Sequence, residues 1–264
     1  MAAPRPPLAL AFLSLACVAA PVEPPGPESR EPVGPTLEIA LTPADEAERL
    51  RLAGILESGA RRIEQFFGAS FPEPIRVEVL PDRASFTAWF PEEWGMGETA
   101  CWMVAAGVAD GMALLSPRVW EEEACEHDPA DPTHVRDLVV HELVHVYHGQ
   151  HNPTRDFAGA ESVGWFAEGL ATYASGQLES GHRARAREAV AAGHVPARLE
   201  EAWSGPYRYG VAGTLVEWLD ARVGREVLFA MLAVTDTREL VALAGADEES
   251  ILRSWREGLE EKSD

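Results

Sequence analysis

Two short stretches in the first third of the chain alternate apolar and polar residues with the period of a β-strand. They span 37–41 (LEIAL) and 75–80 (IRVEVL), and such alternation predicts strands with one buried face. Two further apolar runs, at 100–106 and 112–115, flank a turn dipeptide formed by Asp110 and Gly111. This arrangement is typical of a β-hairpin. We therefore predict a small sheet in this part of the chain.

Helical periodicity occurs between the first two strands and dominates after about residue 130. One helix is predicted from Thr42 to about Phe67, where Gly68 ends it, and a short one from Asp82 to Phe90. The acidic stretch 120–131 is expected to be a loop. Later helices are predicted at 162–178, 182–192, 207–223, 225–233, 237–244 and 247–260. Because the strands precede most helices, the pattern predicts an α+β fold, with a small N-terminal mixed sheet and a mainly helical half.

The helix predicted after residue 130 has an apolar back and a histidine-rich front. Asp131 is a favourable N-cap and Pro132 suits the first helical position. At 100° per residue the apolar side chains collect on one side. These are Val135, Val139, Leu143, Val146 and Tyr147. The opposite side carries Leu138, His141, His145 and His148, with His134 beside them. Such a helix is suited to the floor of a cleft.

Two of these histidines bracket a glutamate in the pattern H-E-x-x-H. His141 and His145 are four residues apart, so both imidazoles lie on one helical face and can bind the same metal ion. Glu142 lies about 100° around the axis, where it can reach a water molecule rather than the metal. The spacing also fits two ordinary histidines, but the intervening glutamate favours a zinc site with a general base.

A third ligand is expected downstream, because a catalytic zinc ion has three protein ligands and one open position. Glu168 follows His145 after 22 intervening residues, within Trp165-x-x-Glu168-Gly169-x-Ala171. This combination resembles the gluzincin zinc metallopeptidases, particularly the peptidase MA-like family, and the resemblance extends over roughly 75–260. It implies a zincin-like fold with the HExxH helix at the junction of its two halves. It also implies a Zn²⁺ ion held by His141, His145 and Glu168.

The implied activity is hydrolysis of peptide bonds by a zinc-bound water, with Glu142 as general base and a peptide or protein as substrate. The resemblance places a tyrosine near the site at Tyr209, with Tyr207 as a close substitute. Tyr209 could instead be an ordinary aromatic residue on an amphipathic helix. Ala167 stands where thermolysin-like aminopeptidases usually carry Asn, so aminopeptidase specificity is not implied.

Two other interpretations remain open at this stage. His151 could be the third ligand of a metzincin-like peptidase, although the glycine of that motif is displaced by one residue, to Gly149, and a convincing Met-turn is missing. Alternatively, the chain could be a catalytically inactive zincin-fold module that binds proteins or peptides. The presence of Glu142 favours the enzyme, since a binding module needs no general base.

Several other polar residues lie near the motif. His134 and His148 share the metal-facing stripe and are expected at the rim of the cleft, partly exposed. Asp137 could orient a ligand histidine from one turn away, or be a surface acid. The run 112–115 is a candidate edge strand for pairing with an extended peptide.

The N-terminus has the pattern of an export signal. A short apolar run at 8–18 follows Arg5, and 1–19 is predicted to be a signal peptide. Cleavage before Cys17 would give a lipidated, membrane-tethered lipoprotein, whereas cleavage after Ala19 or Ala20 would give a secreted protein. A Pro-rich tether follows at 20–36, and a single peptidase domain is predicted at 37–264. Both alternatives predict export to the bacterial cell envelope.

Charge and cysteine content narrow the possible partners and the compartment. The formal net charge of −21 argues against nucleic acid as a partner, because nucleic-acid binding needs a basic surface. Without Cys17, two cysteines remain, Cys101 and Cys125. In an exported protein such a pair favours a disulfide, the alternative being two free buried thiols.

Overall fold

A computed structural model describes residues 36–95 and 97–261. The predicted signal peptide, Cys17 and all of the predicted tether except Thr36 lie outside the described residues. Within them, four strands form one mixed sheet: β1 (Leu37–Ala40), β2 (Ile75–Leu80), β3 (Ala105–Val108) and β4 (Gly111–Leu115). The order is β1-β2-β4-β3. β1, β2 and β4 are parallel, and β3 is antiparallel to β4.

The order of the strands corrects one prediction. The run 112–115 was expected to form an edge strand, but β4 is hydrogen-bonded to β2 on one side and to β3 on the other. All its residues are buried, as expected for an apolar strand inside a partly parallel sheet. β3 is the edge strand on this side. The hairpin turn lies at Ala109 and Asp110, one residue earlier than predicted.

Three helices accompany the sheet: α1 (Arg49–Phe67), α2 (Arg83–Trp89) and α3 (Trp120–Glu123). α1 begins seven residues after the predicted start at Thr42. The reason is local, because the buried Asp45 accepts hydrogen bonds from the hydroxyls of Thr42 (2.6 Å) and Ser116 (2.5 Å), and these bonds hold the preceding segment in a turn. α3 lies in the stretch 120–131 that was expected to be a loop.

The central helix is α4 (Pro132–His151). Asp131 caps it as predicted, accepting hydrogen bonds from the backbone N–H groups of Thr133 and His134. The predicted apolar back is fully buried, and the helix contacts α1 on one side and β3 on another. α4 therefore joins the sheet to the helical half, with His141 and His145 at the junction.

The helical half consists of α5 (Gly164–Ser175), α6 (His182–Ala191), α7 (Arg208–Val223), α8 (Arg225–Ala230), α9 (Thr237–Ala244) and α10 (Glu248–Glu261). α5 packs closely on α7. At Gly169 a Cβ atom would lie 2.4 Å from the carbonyl oxygen of Ala212, so only glycine permits this approach. These observations confirm the predicted α+β class and the order of its two halves.

Two further findings concern the cysteines and the character of the helices. Cys101 and Cys125 form a disulfide, with a Cα–Cα distance of 5.3 Å, as the sequence favoured. Within the described ranges, no helix has the length and apolar character needed to cross a bilayer.

Candidate metal centre

The two histidines of the motif lie one helical turn apart on α4, and their rings converge. The Nε2 atoms of His141 and His145 are 3.2 Å apart, and both side chains are buried. Their spacing follows directly from helical geometry, because residues i and i+4 lie one above the other. The rest of the site depends on which element faces this pair.

The facing element is α5, and it presents Glu168. Oε2 of Glu168 lies 3.3 Å from Nε2 of His141 and 3.6 Å from Nε2 of His145. The three ligand atoms lie within 4.8 Å of one another, so the group could hold a metal ion. The three residues predicted as a ligand set are therefore brought together by the fold.

Burial and the charges of the neighbouring side chains determine the pKa values of Glu168 and His145. Burial opposes ionisation of Glu168, but the neighbouring His145 and His141 outweigh it and lower the pKa of the carboxyl group. Burial likewise disfavours protonated His145, yet the charge of Glu168 raises its pKa above the usual value. The site thus concentrates negative charge beside two nitrogen donors, which suits a cation.

Gln177, which belongs to no motif of the sequence, contacts His141 directly. Nδ1 of His141 donates a hydrogen bond to Oε1 of Gln177 at 2.9 Å, and Nε2 of Gln177 donates one to the backbone carbonyl of Asp137 at 3.3 Å. Gln177 follows Gly176, whose positive φ of 93° ends α5. The sequence offers one indication of this role: a glycine that can reverse the chain follows Glu168 within one short helix, so the residue after that glycine returns towards the metal ligands.

Asp137 itself is buried, so the surface-acid alternative is wrong. Its carboxylate pairs with Arg136 and accepts a hydrogen bond from Ser180. It orients His141 only indirectly, because its backbone carbonyl, rather than its side chain, holds the amide of Gln177.

Glu142 lies on the wall of the same cleft, next to the edge strand. The backbone N–H of Gly107 donates a hydrogen bond to its carboxylate. Burial is the main cause that raises the pKa of Glu142, and the neighbouring histidines offset part of this effect. β3 lies so close that a Cβ atom on Gly107 would be 2.3 Å from the carbonyl oxygen of Glu142.

The cleft has a volume of about 330 Å³ and includes all three candidate ligands. β3 forms one wall. The other walls are mainly apolar and aromatic, including Trp102, Met103, Leu138, Phe157, Trp203 and Tyr209. An extended backbone could lie along β3 while its side chains contact these aromatic groups.

The fold brings Tyr209, and not Tyr207, to the cleft. The ring of Tyr209 lies 6.1 Å from that of His141, whereas Tyr207 stacks on His194. Burial and the charge of Glu168 raise the pKa of Tyr209, and the neighbouring Arg208 offsets part of the effect. Its hydroxyl is therefore protonated at neutral pH and can donate a hydrogen bond.

The other histidines of α4 do not join the ligand group. The ring of His151 packs on Tyr147 and Phe229, away from the front of α4, so the metzincin-like alternative is wrong. His148 is completely buried, not at the rim. It lies against Phe157 and Phe166 because α5 covers this part of α4. His134 is partly exposed, as predicted.

Comparison with protein-family models gives no match, and neither does comparison with curated proteins. The assignment therefore depends on the site itself. The His141, His145 and Glu168 group fits a zincin-like HExxH…E site and suggests a metal-dependent hydrolase.

Proposed function

We propose that this protein is a zinc-dependent peptidase of the gluzincin type. The observation that carries the proposal is the separation of the three ligand atoms. Ligand atoms about 2.0–2.1 Å from a tetrahedral zinc ion are separated by about 3.3–3.4 Å. The observed separations are 3.2, 3.3 and 3.6 Å.

The donor set also fits zinc chemically. Two imidazole nitrogens and one carboxylate oxygen form one of the ligand sets found in catalytic zinc sites, where a fourth position is open to water or substrate. Nδ1 of His141 donates a hydrogen bond to Gln177. The neutral imidazole therefore carries its proton on Nδ1, and its Nε2 has a lone pair available for a metal ion. A bound zinc ion would polarise the substrate carbonyl and lower the pKa of a water molecule.

The residues around this set support peptide hydrolysis. Glu142 has a raised pKa, which favours accepting a proton from the attacking water and later delivering it to the leaving nitrogen. Tyr209 is available to donate a hydrogen bond to the oxyanion that develops on the substrate carbonyl. The edge strand β3 offers backbone groups for pairing with an extended peptide.

We also propose that the protein acts outside the cytoplasm, either tethered through a lipidated Cys17 or secreted. The disulfide between Cys101 and Cys125 supports export, because structural disulfides persist in oxidising compartments. Expression of the full chain and its Cys17→Ser variant tests the tether. Loss of membrane association in the variant supports lipidation, and equal release of both proteins contradicts it.

Metal analysis and one substitution test the peptidase proposal. The purified protein is expected to bind one zinc ion and to cleave unfolded casein. Glu142→Gln should retain zinc, since Glu142 is not a ligand, and should lower kcat by about 10²- to 10⁴-fold. Glu188→Gln, at an exposed position on α6, is the matched control.

Two results would contradict the proposal. A protein that binds no zinc lacks the site altogether. A zinc-loaded protein that cleaves neither casein nor any peptide in a library, but binds them, would be a zincin-fold binding module.

A further inference from the structure

Arg208, the first residue of α7, lies against three aromatic rings at the cleft. Its guanidinium carbon is 5.6 Å from the ring centre of Trp102, 5.4 Å from that of Trp203 and 5.1 Å from that of Tyr209. All three rings line the cleft that contains the candidate metal centre. Arg208 itself is not among the lining residues, so the aromatic groups hold its guanidinium beside the cleft wall and favour its positive charge.

The charge of Arg208 is not neutralised by a nearby acidic side chain of the described residues. The chain has 43 acidic and 22 basic residues other than histidine, and two arginines near α7 pair with carboxylates, Arg183 with Glu217 and Arg225 with Asp220. No ion pair joins Arg208 to a carboxylate of the described residues. One interaction of its guanidinium is with the Tyr209 hydroxyl, which leaves further N–H donors for a ligand.

The position of Arg208 defines where that ligand would bind. Its guanidinium lies 5.1 Å from the ring of Tyr209, and this ring lies 6.1 Å from that of His141. Taken together, the two distances correspond to at most about three residues of extended chain. A group bound by Arg208 is therefore close in sequence to a peptide bond at the metal centre.

We propose that Arg208 is a specificity residue that binds a carboxylate of the substrate within about three residues of the hydrolysed bond. The inference rests on the proposed peptidase function. A planar guanidinium binds a carboxylate through two parallel hydrogen bonds, and the acidic cleft, with Glu142 and Glu168, otherwise disfavours anions. The carboxylate is either the C-terminus of the substrate or an Asp or Glu side chain.

Arg222 provides a matched control on the same helix. Its guanidinium lies 5.6 Å from the ring of Trp218, so it makes a similar aromatic contact, and it lies in the last turn of α7, whereas Arg208 is in the first. Trp218 does not line the metal cleft, whereas the three rings around Arg208 do. Replacing Arg222 therefore removes a stacked arginine without changing the cleft.

The cleavage experiment uses random hexapeptides in three forms, and mass spectrometry reads the cleavage sites. The first library has a free C-terminal carboxylate and contains no Asp or Glu. The second has the same sequences with an amidated C-terminus. The third is also amidated and carries Glu at one position, and its neutral counterpart carries Gln there. Wild type should prefer a carboxylate form over its neutral counterpart by about 10- to 100-fold in kcat/KM. This preference should disappear in Arg208→Gln and remain in Arg222→Gln.

A binding experiment separates this proposal from the peptidase proposal. The zinc-free protein is titrated with acetyl-Ala-Leu-Phe as acid and as amide, and with acetyl-Ala-Glu-Phe amide, while tryptophan fluorescence reports binding near Trp102 and Trp203. Tighter binding of either carboxylate form by wild type and Arg222→Gln, but not by Arg208→Gln, supports the proposal even if nothing is cleaved.

The comparison between acetyl-Ala-Leu-Phe acid and acetyl-Ala-Glu-Phe amide identifies the source of the carboxylate, a C-terminus or a side chain. Equal binding and equal cleavage of acidic and neutral forms by wild type would overturn the proposal. It would also be overturned if Arg208→Gln, folded with the same melting temperature as Arg222→Gln, kept the wild-type preference.

Discussion

Gln177 and His141 are joined by a hydrogen bond between Nδ1 of the histidine and the amide oxygen of the glutamine, at 2.9 Å. The amide nitrogen of Gln177 in turn donates a hydrogen bond to the backbone carbonyl of Asp137. The amide therefore has one orientation, and His141 carries its proton on Nδ1. This contact links α4 to the turn after α5 and directs Nε2 of His141 towards Glu168.

We expect Gln177→Ala to weaken zinc binding by about 10- to 100-fold, because a ligand histidine that loses this partner loses its fixed tautomer and ring orientation. Competition with a chromogenic chelator measures the affinity. Gln150→Ala is the control, since Gln150 also bonds to backbone carbonyls, those of Glu73 and Ala109, away from the metal centre. Equal zinc affinity of wild type and Gln177→Ala would show that Gln177 has no such role.

Substitutions of Glu168 and His151 should show which of the two residues is the third zinc ligand. Glu168→Gln is expected to remove stoichiometric zinc, because it replaces an anionic donor with a weak neutral one. His151→Ala should retain zinc, since its ring packs on Tyr147 and Phe229. Metal content after dialysis distinguishes them, and the opposite result would mean that His151 is the ligand.

Gly107 is expected to tolerate no side chain. The Cβ atom of Gly107→Ala would lie 2.3 Å from the backbone oxygen of Glu142, so β3 and α4 must separate, at a cost of about 1–3 kcal/mol, and activity should fall. Gly54→Ala is the control, because its Cβ atom meets nothing within 4 Å on an exposed part of α1. That substitution should instead stabilise the protein by up to about 1 kcal/mol. Urea denaturation measures both changes, and similar stabilities for both variants would contradict the expectation.

The disulfide should stabilise the segment between the two cysteines, which contributes Trp102 to the cleft. Cys101 and Cys125 are separated by 24 residues in sequence, and closing a loop of this size contributes about 3.5 kcal/mol in the chain-entropy model. Cys101→Ser/Cys125→Ser should therefore lower the free energy of unfolding by about 2–4 kcal/mol, measured by chemical denaturation. The same loss should follow reduction of wild type, while the reductant should leave the double variant unchanged. No difference between oxidised and reduced wild type would contradict the prediction.

His148 should make the protein less stable in mild acid. Burial lowers its pKa to about 3, helped by the nearby His145 and His151 and only partly offset by the Leu232 carbonyl. Neither ring nitrogen has a well-formed hydrogen bond. As the pH falls below about 6.5, the unfolded chain takes up a proton that the folded chain does not, so stability is lost on acidification.

His148→Leu removes this contribution. Between pH 7.5 and 5.0, metal-free wild type should lose about 2 kcal/mol more unfolding free energy than the variant. Urea denaturation at the two pH values provides the comparison, and equal losses would assign the acid sensitivity to other groups. At pH 7.5 the variant should be at least as stable as wild type, because a buried polar ring without a good partner is replaced by an apolar side chain.

The sequence alone determined the elements whose geometry is local. Alternation at 75–80 predicts β2 and the capped pattern after Asp131 predicts α4, because strand and helix periodicities act over a few residues. The pairing of His141 with His145 has the same origin. Periodicity predicts the start of α1 seven residues too early, because a distant residue, Ser116, donates a hydrogen bond to Asp45 and stabilises the preceding turn.

The tertiary structure alone decided what faces the two histidines. The close packing of α5 on α7 at Gly169 brings Glu168 to them, the chain reversal at Gly176 brings Gln177, and α7 brings Tyr209 and Arg208. The same packing buries His148, which a helical projection placed at a cleft rim. Helical periodicity fixes the face on which a side chain lies, whereas the element that covers this face is set by contacts between residues far apart in sequence.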